Sequence, residues 1–184
     1  AQEMNIVITT ETGINEPAEG PDSEGVPPQR ISDGDKFELE NAEMNAVTGG
    51  QVIADTEWKG YSGTGYAKGF KVAGDSLTFT VNVVREGTYD LVLNVNNGKK
   101  NDPIYDSSPR TGGLYIDDGA AIPLSFAITD TWGNASKQGV WVQYTLQDIV
   151  LTAGQHTITI RAEGENPGNF NLDYLQFNRH DTST

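Results

Sequence analysis

Hydrophobic residues in this chain recur at every second position over long runs, and a period of two commits a polypeptide to sheet. Leu77, Phe79, Val81 and Val83 alternate with Thr78, Thr80 and Asn82, and Tyr89, Leu91, Leu93 and Val95 alternate again. Successive side chains on a strand point to opposite faces, so each run builds one apolar face and one polar face. The Glu86-Gly87 turn between these two runs predicts a hairpin. Val140, Val142, Tyr144 and Leu146 repeat the pattern, and Ile158 and Ile160 follow a Thr152-Ala153-Gly154-Gln155 turn. No stretch carries a helical stripe. Many alternating strands divided by Gly- and Asn-rich turns predict an all-β fold, an antiparallel β-sandwich (jelly roll), over residues 36–178.

The flanks have a different composition. Residues 1–35 hold eight acids against a single base, Arg30, and are punctuated by Pro17, Pro21, Pro27 and Pro28. Little hydrophobicity with much charge and proline cannot offset the entropy of ordering, so 1–35 is expected to be an acidic linker. Residues 179–184, ending Asp181-Thr182-Ser183-Thr184, read as the start of a Ser/Thr linker, which would place the module inside a longer secreted polypeptide. The 184 residues suffice for a core without crosslinks. With no cysteine, disulfides and thiolate metal sites are excluded. A net charge of −14 repels phosphates and anionic lipid, and no apolar run is long enough for a transmembrane helix. Nucleic acid and membrane are therefore not expected as partners.

Two constellations carry chemistry. In Phe37-Glu38-Leu39-Glu40 a strand would put both glutamates on one face, about 7 Å apart, which is unfavourable unless a cation neutralises them. Asp173, in Asn171-Leu172-Asp173-Tyr174-Leu175-Gln176-Phe177, falls on the face of Leu175 and Phe177 and needs a cation or several donors. If the first and last strands pair, three hard oxygen ligands converge, a set that suits calcium better than zinc. Solvated edge-strand acids are the alternative. The second constellation is aromatic: Tyr61 and Tyr66 in Gly60-Tyr61-Ser62-Gly63-Thr64-Gly65-Tyr66, Trp132 in a polar loop, and Asn169 and Asn171 before the last strand. Rings stack on sugar C–H faces, and amides both donate to and accept from hydroxyls. The alternative is that the rings cap the core, the reading preferred for Trp58 and Trp141. No Ser/His/Asp order, phosphate loop or His-rich metal cluster points to catalysis.

Phe37-Glu38-Leu39-Glu40-Asn41-Ala42, Gly60 to Ala67, Leu151-Thr152-Ala153-Gly154-Gln155-His156-Thr157-Ile158 and Asn171-Leu172-Asp173-Tyr174 together resemble carbohydrate-binding module family 35, with family 6 as its sister. The resemblance implies a β-jelly-roll without catalytic activity, attached to a glycoside hydrolase or similar enzyme in the extracellular space. It implies that Glu38, Glu40 and Asp173 hold a structural calcium. It also implies that Tyr66, Trp132 and Asn171, with Tyr61 and Asn169 beside them, form a sugar site, with Trp141 as the alternative to Trp132. The loop around Pro103 to Pro109 is larger than the family pattern. The expected partner is a plant cell-wall polysaccharide, β-mannan or galactomannan, bound by a monomeric module. Uronic acids or galactose are the alternative ligands, and a calcium-stabilised adhesion or spacer domain is the alternative from another class.

Overall fold

The computed structural model describes residues 27–47 and 52–180. Among these residues twelve strands form a sandwich: β1 (Gln29–Ile31), β2 (Lys36–Glu38), β3 (Glu43–Asn45), β4 (Ile53–Asp55), β5 (Tyr66–Lys68), β6 (Ser76–Val83), β7 (Gly87–Asn96), β8 (Arg110–Ile116), β9 (Ile122–Phe126), β10 (Val142–Leu151), β11 (Gly154–Ala162) and β12 (Asn171–His180). One sheet runs β1-β6-β11-β8-β9 with β3 also on β6, and the other runs β10-β7-β12-β5-β4 with β2 also on β12. The alternating residues behave as their period requires. Leu77, Val81, Leu91, Leu93, Ile158 and Ile160 are sealed between the sheets. Facing apolar surfaces of two sheets leave water together, which is the main driving force for the sandwich. Among the described residues no helix is long and apolar enough to cross a membrane.

Five expectations need correction. β6 and β7 are not a hairpin: β6 pairs with β11 and β7 with β10 and β12, so the Glu86-Gly87 turn arches from one sheet to the other. Both strands carry apolar faces of similar width, and packing those faces against each other buries more apolar surface than pairing their edges. The module also begins before Lys36. Gln29–Ile31 pairs in parallel with Val81–Val83, and Ile31 is fully buried. β12 likewise extends past Asn178 to His180. Expectations for residues 1–26 and 181–184 lie outside the described residues. The remaining two corrections concern the acids. Phe37 to Glu40 is not one strand, since β2 ends at Glu38 and a 3-10 turn spans Leu39–Asn41. Asp173 does not share the face of Leu175 and Phe177, because a bulge between Leu172 and Leu175 inserts an extra residue and turns its side chain away from the core.

Candidate functional site: an acid cluster and a loop-end cavity

β2 pairs with β12 so that Glu38 lies opposite Tyr174, one residue from Asp173. The 3-10 turn then folds Glu40 back toward them while burying Leu39. Carboxylate oxygens of Glu38, Glu40 and Asp173 all lie within 4.8 Å of one another. The glycine-rich segment Gly60–Gly65 wraps over this cluster and donates to it. Ser62 N–H reaches both Asp173 oxygens at 3.1 and 3.0 Å, the Ser62 hydroxyl lies 2.7 Å from both Glu38 oxygens, and Thr64 N–H donates to Glu40 Oε1 at 2.9 Å. Asn94 Nδ2 donates to Asp173 Oδ2 at 2.9 Å from β7. Gly63 is required twice over: its φ is +62°, and a Cβ there would stand 2.3 Å from Glu40 Oε1.

The donors leave this cluster incompletely compensated. Glu40 Oε2 is buried with no hydrogen-bond partner. Burial raises the Glu40 carboxyl above its ordinary value, opposed by backbone donors. Burial also pushes Asp173 up to about 6, against the pull of Asn94 and Ser62 and with the push of the two glutamates. A buried orphan oxygen beside two further carboxylates is an all-oxygen donor set that fits a hard divalent cation.

The second site lies at the loop end of the sandwich, in a cavity of about 550 Å³. Phe70 and Phe170, in tilted contact at 5.1 Å, form its floor, and Trp132, Asn169 and Asn171 line it. Lys68, Lys71 and Lys100 also line the cavity, and among the described residues no carboxylate does. The Trp132 ring is held from behind, with its Nε1–H donating to Lys99 O at 2.9 Å and its carbonyl accepting from Asn96 Nδ2. Asn96 Oδ1 in turn accepts from Asn171 Nδ2 at 2.8 Å, so the strand amide and the tryptophan loop share one brace. Asn169 sits at φ +59°, a left-handed conformation that asparagine tolerates, with its Oδ1 against Lys100 Nζ. Burial, with the Arg110 and Lys71 charges, holds Lys100 below the ordinary lysine value. Lys68 is paired with Asp55 at 2.9 Å.

Three of the five expected ligand residues therefore share this cavity and two do not. Tyr66 is fully buried, and its hydroxyl donates to Asp55 Oδ2 at 3.0 Å and accepts from Trp58 N–H. A ring with no exposed face has nothing to offer a sugar, and Tyr66 instead supports Trp141, which meets it edge-on at 5.2 Å. Tyr61 packs on Tyr66 at 5.8 Å, outside the cavity lining. Trp141 lies just before β10 and is half-buried, with Nε1–H donating to Lys59 O at 3.0 Å. Trp58 is half-buried under Lys137 at 4.8 Å. Lys71 and Phe70 carry no motif that would place them at the cavity, whereas Phe170 stands between the two asparagines that the sequence singles out.

Residues 37–104 match the model of carbohydrate binding module (family 35). The chain is 30% identical over 148 residues to a cycloisomaltooligosaccharide glucanotransferase of Niallia circulans, covering 80% of this chain and 14% of that enzyme. It is 30% identical over 124 residues to a mannan endo-1,4-beta-mannosidase of Thermothelomyces thermophilus, covering 67% of this chain and 21% of that enzyme. The chain thus spans a small part of the curated relatives it matches. Among solved structures, a family 35 carbohydrate binding module from Clostridium thermocellum superposes with a TM-score of 0.63 at 20% identity. That comparison covers 81% of this chain and 100% of the other, a likeness of fold.

Proposed function

This chain belongs to carbohydrate-binding module family 35, and from that premise we propose that it is the non-catalytic polysaccharide-binding part of a secreted carbohydrate-active enzyme, gripping sugar in the Trp132 cavity. The observation that carries the reading is the meeting of Trp132, Asn169 and Asn171 around one concave, phenylalanine-floored space. A pyranose has one apolar face for the indole and a rim of hydroxyls for the amides and lysines. Because Trp132 is already braced by Lys99 and Asn96, little ordering is needed on binding. The ligand we propose is a neutral hexose polymer, β-mannan or galactomannan, which the mannanase relatives support.

One observation favours a second reading: three lysines rim the cavity without a carboxylate among its described lining residues, in a chain of net charge −14. That local inversion of sign suits a uronic acid, whose carboxylate Lys71 and Lys100 would meet. The glucanotransferase relatives add 1,6-linked α-glucose to the panel. Affinity electrophoresis through gels containing galactomannan, dextran or polygalacturonate tests all three. Retardation by galactomannan that Trp132→Ala abolishes is the expected result. Retardation by polygalacturonate alone would transfer the assignment to the acidic sugar, and none at all would favour an adhesion or spacer domain.

The acid cluster is read as a calcium site remote from sugar, held by Glu38, Glu40 and Asp173. Bound there, the ion would supply charge neutralisation at the junction of β2, β12 and the Gly60–Gly65 segment. The protein side supplies the rest: Ser62 and Thr64 orient the carboxylates, and Gly63 gives them room.

A further inference from the structure

The segment between β7 and β8 is long, yet it is built rigidly. Arg110 has no exposed surface, and its Nη2 donates to Asp106 Oδ1 at 3.0 Å while its Nη1 donates to the carbonyl of Asn169 at 2.8 Å. Asp106 also receives the N–H groups of Lys100 at 3.0 Å and Asp102 at 3.2 Å. From the opposite side, Asn166 Nδ2 donates to the carbonyls of Tyr105 and Ser108. One buried ion pair therefore ties this loop to Asn169, a residue of the sugar cavity.

At the tip of this pinned backbone stand two apolar side chains in water, Ile104 at 80% exposure and Tyr105 at 45%. A loop that needed only to close the strand connection would gain nothing from displaying them. Tyr105 also stands next to a residue of the cavity. The Nζ of Lys100, which lines the cavity, lies 5.4 Å over the Tyr105 ring.

We propose that Tyr105, with Ile104 beside it, is a second sugar-stacking subsite that adjoins the Trp132 cavity and makes the module a reader of chains rather than of single sugars. The occupant is the neighbouring unit of the same polysaccharide, and the inference rests on the cavity's being the sugar site. Rigidity matters here, since a platform held by Arg110, Asp106 and Asn166 loses little entropy when a ring settles on it. Lys100, lying between the two subsites, is positioned to donate to hydroxyls of both units.

Isothermal titration with mannose and mannohexaose, glucose and isomaltohexaose, and galacturonic acid and its hexamer tests this on the intact chain. Wild type is expected to bind one hexamer more tightly than its monomer. Tyr105→Ala should weaken the hexamer by about fivefold to tenfold, as loss of one aromatic stack predicts, with monomer affinity and melting temperature unchanged. Tyr105→Phe should restore the hexamer. Trp132→Ala should remove monomer and hexamer alike. An unchanged ratio of hexamer to monomer affinity in Tyr105→Ala would overturn the second subsite while leaving the cavity assignment standing. Survival of monomer binding in Trp132→Ala, or no binding of any probe by wild type, would overturn the cavity assignment and the subsite with it.

Discussion

The substitution Asp173→Asn distinguishes a cation site from a merely hydrogen-bonded junction, because the two accounts predict opposite signs. In the metal-free fold Asp173 is buried among Glu38 and Glu40, and its carboxyl is pushed up to about 6. The rise from an ordinary value of 3.8 to about 6 corresponds to roughly 3 kcal/mol favouring the protonated form. Since the folded value is the raised one, the stability this carboxyl contributes is full below about pH 4 and is lost as pH climbs through 6. At pH 7.5 with chelator, the ionised carboxylate therefore weighs against folding. Asparagine removes that charge, and its carbonyl still accepts from Ser62 and Asn94, so the variant should melt at or above wild type. A cation reverses the order. At about a hundredfold excess over its dissociation constant, calcium bound at this site would stabilise wild type by roughly 2.7 kcal/mol, which for a chain of this size is about 5–10 °C in melting temperature. The variant should gain little of this. Differential scanning calorimetry at pH 5.0 and 7.5, with EDTA or millimolar calcium, reads all four combinations. The reasoning is refuted if calcium leaves wild type unmoved and Asp173→Asn melts below it in EDTA.

Further outcomes follow from the same geometry. Gly63→Ala should abolish the calcium response even though it removes no ligand, because the new Cβ would meet Glu40 Oε1 at 2.3 Å; calorimetry against calcium checks it. Arg110→Met removes the guanidinium that joins Asp106 to the Asn169 carbonyl and should lower stability, read as an earlier midpoint in urea denaturation. Leu93→Ala, in the sealed core, should cost about 2–5 kcal/mol by the same method without altering sugar affinity at the remaining stability. Asn171→Ala should weaken galactomannan binding by losing both its own hydroxyl contacts and the Asn96 brace behind Trp132, visible as reduced gel retardation.

The amino-acid sequence by itself determined the class of fold, because a period of two needs no partner to be read: Leu91 and Leu93 must face one way whichever sheet they join. It also raised the convergence of Glu38, Glu40 and Asp173 as an expectation that hung on an early strand pairing with the last one, and β2 does pair with β12. Only the tertiary structure decided how they converge. The strand alternation expected for Glu38 and Glu40 is replaced by a 3-10 turn, and a bulge moves Asp173 off the core face. Turns and bulges depend on what packs above them, and that information is not local. The same limit separated the aromatics. Tyr66 and Trp132 look alike as loop-borne rings, but Tyr66 is sealed under Trp141 while Trp132 opens on a cavity. Exposure is a property of distant segments folding over a residue. Lys68, Lys71 and Lys100 form one basic rim only because β5, the turn after it and the loop beyond β7 meet there, and sequence spacing carries no trace of that meeting.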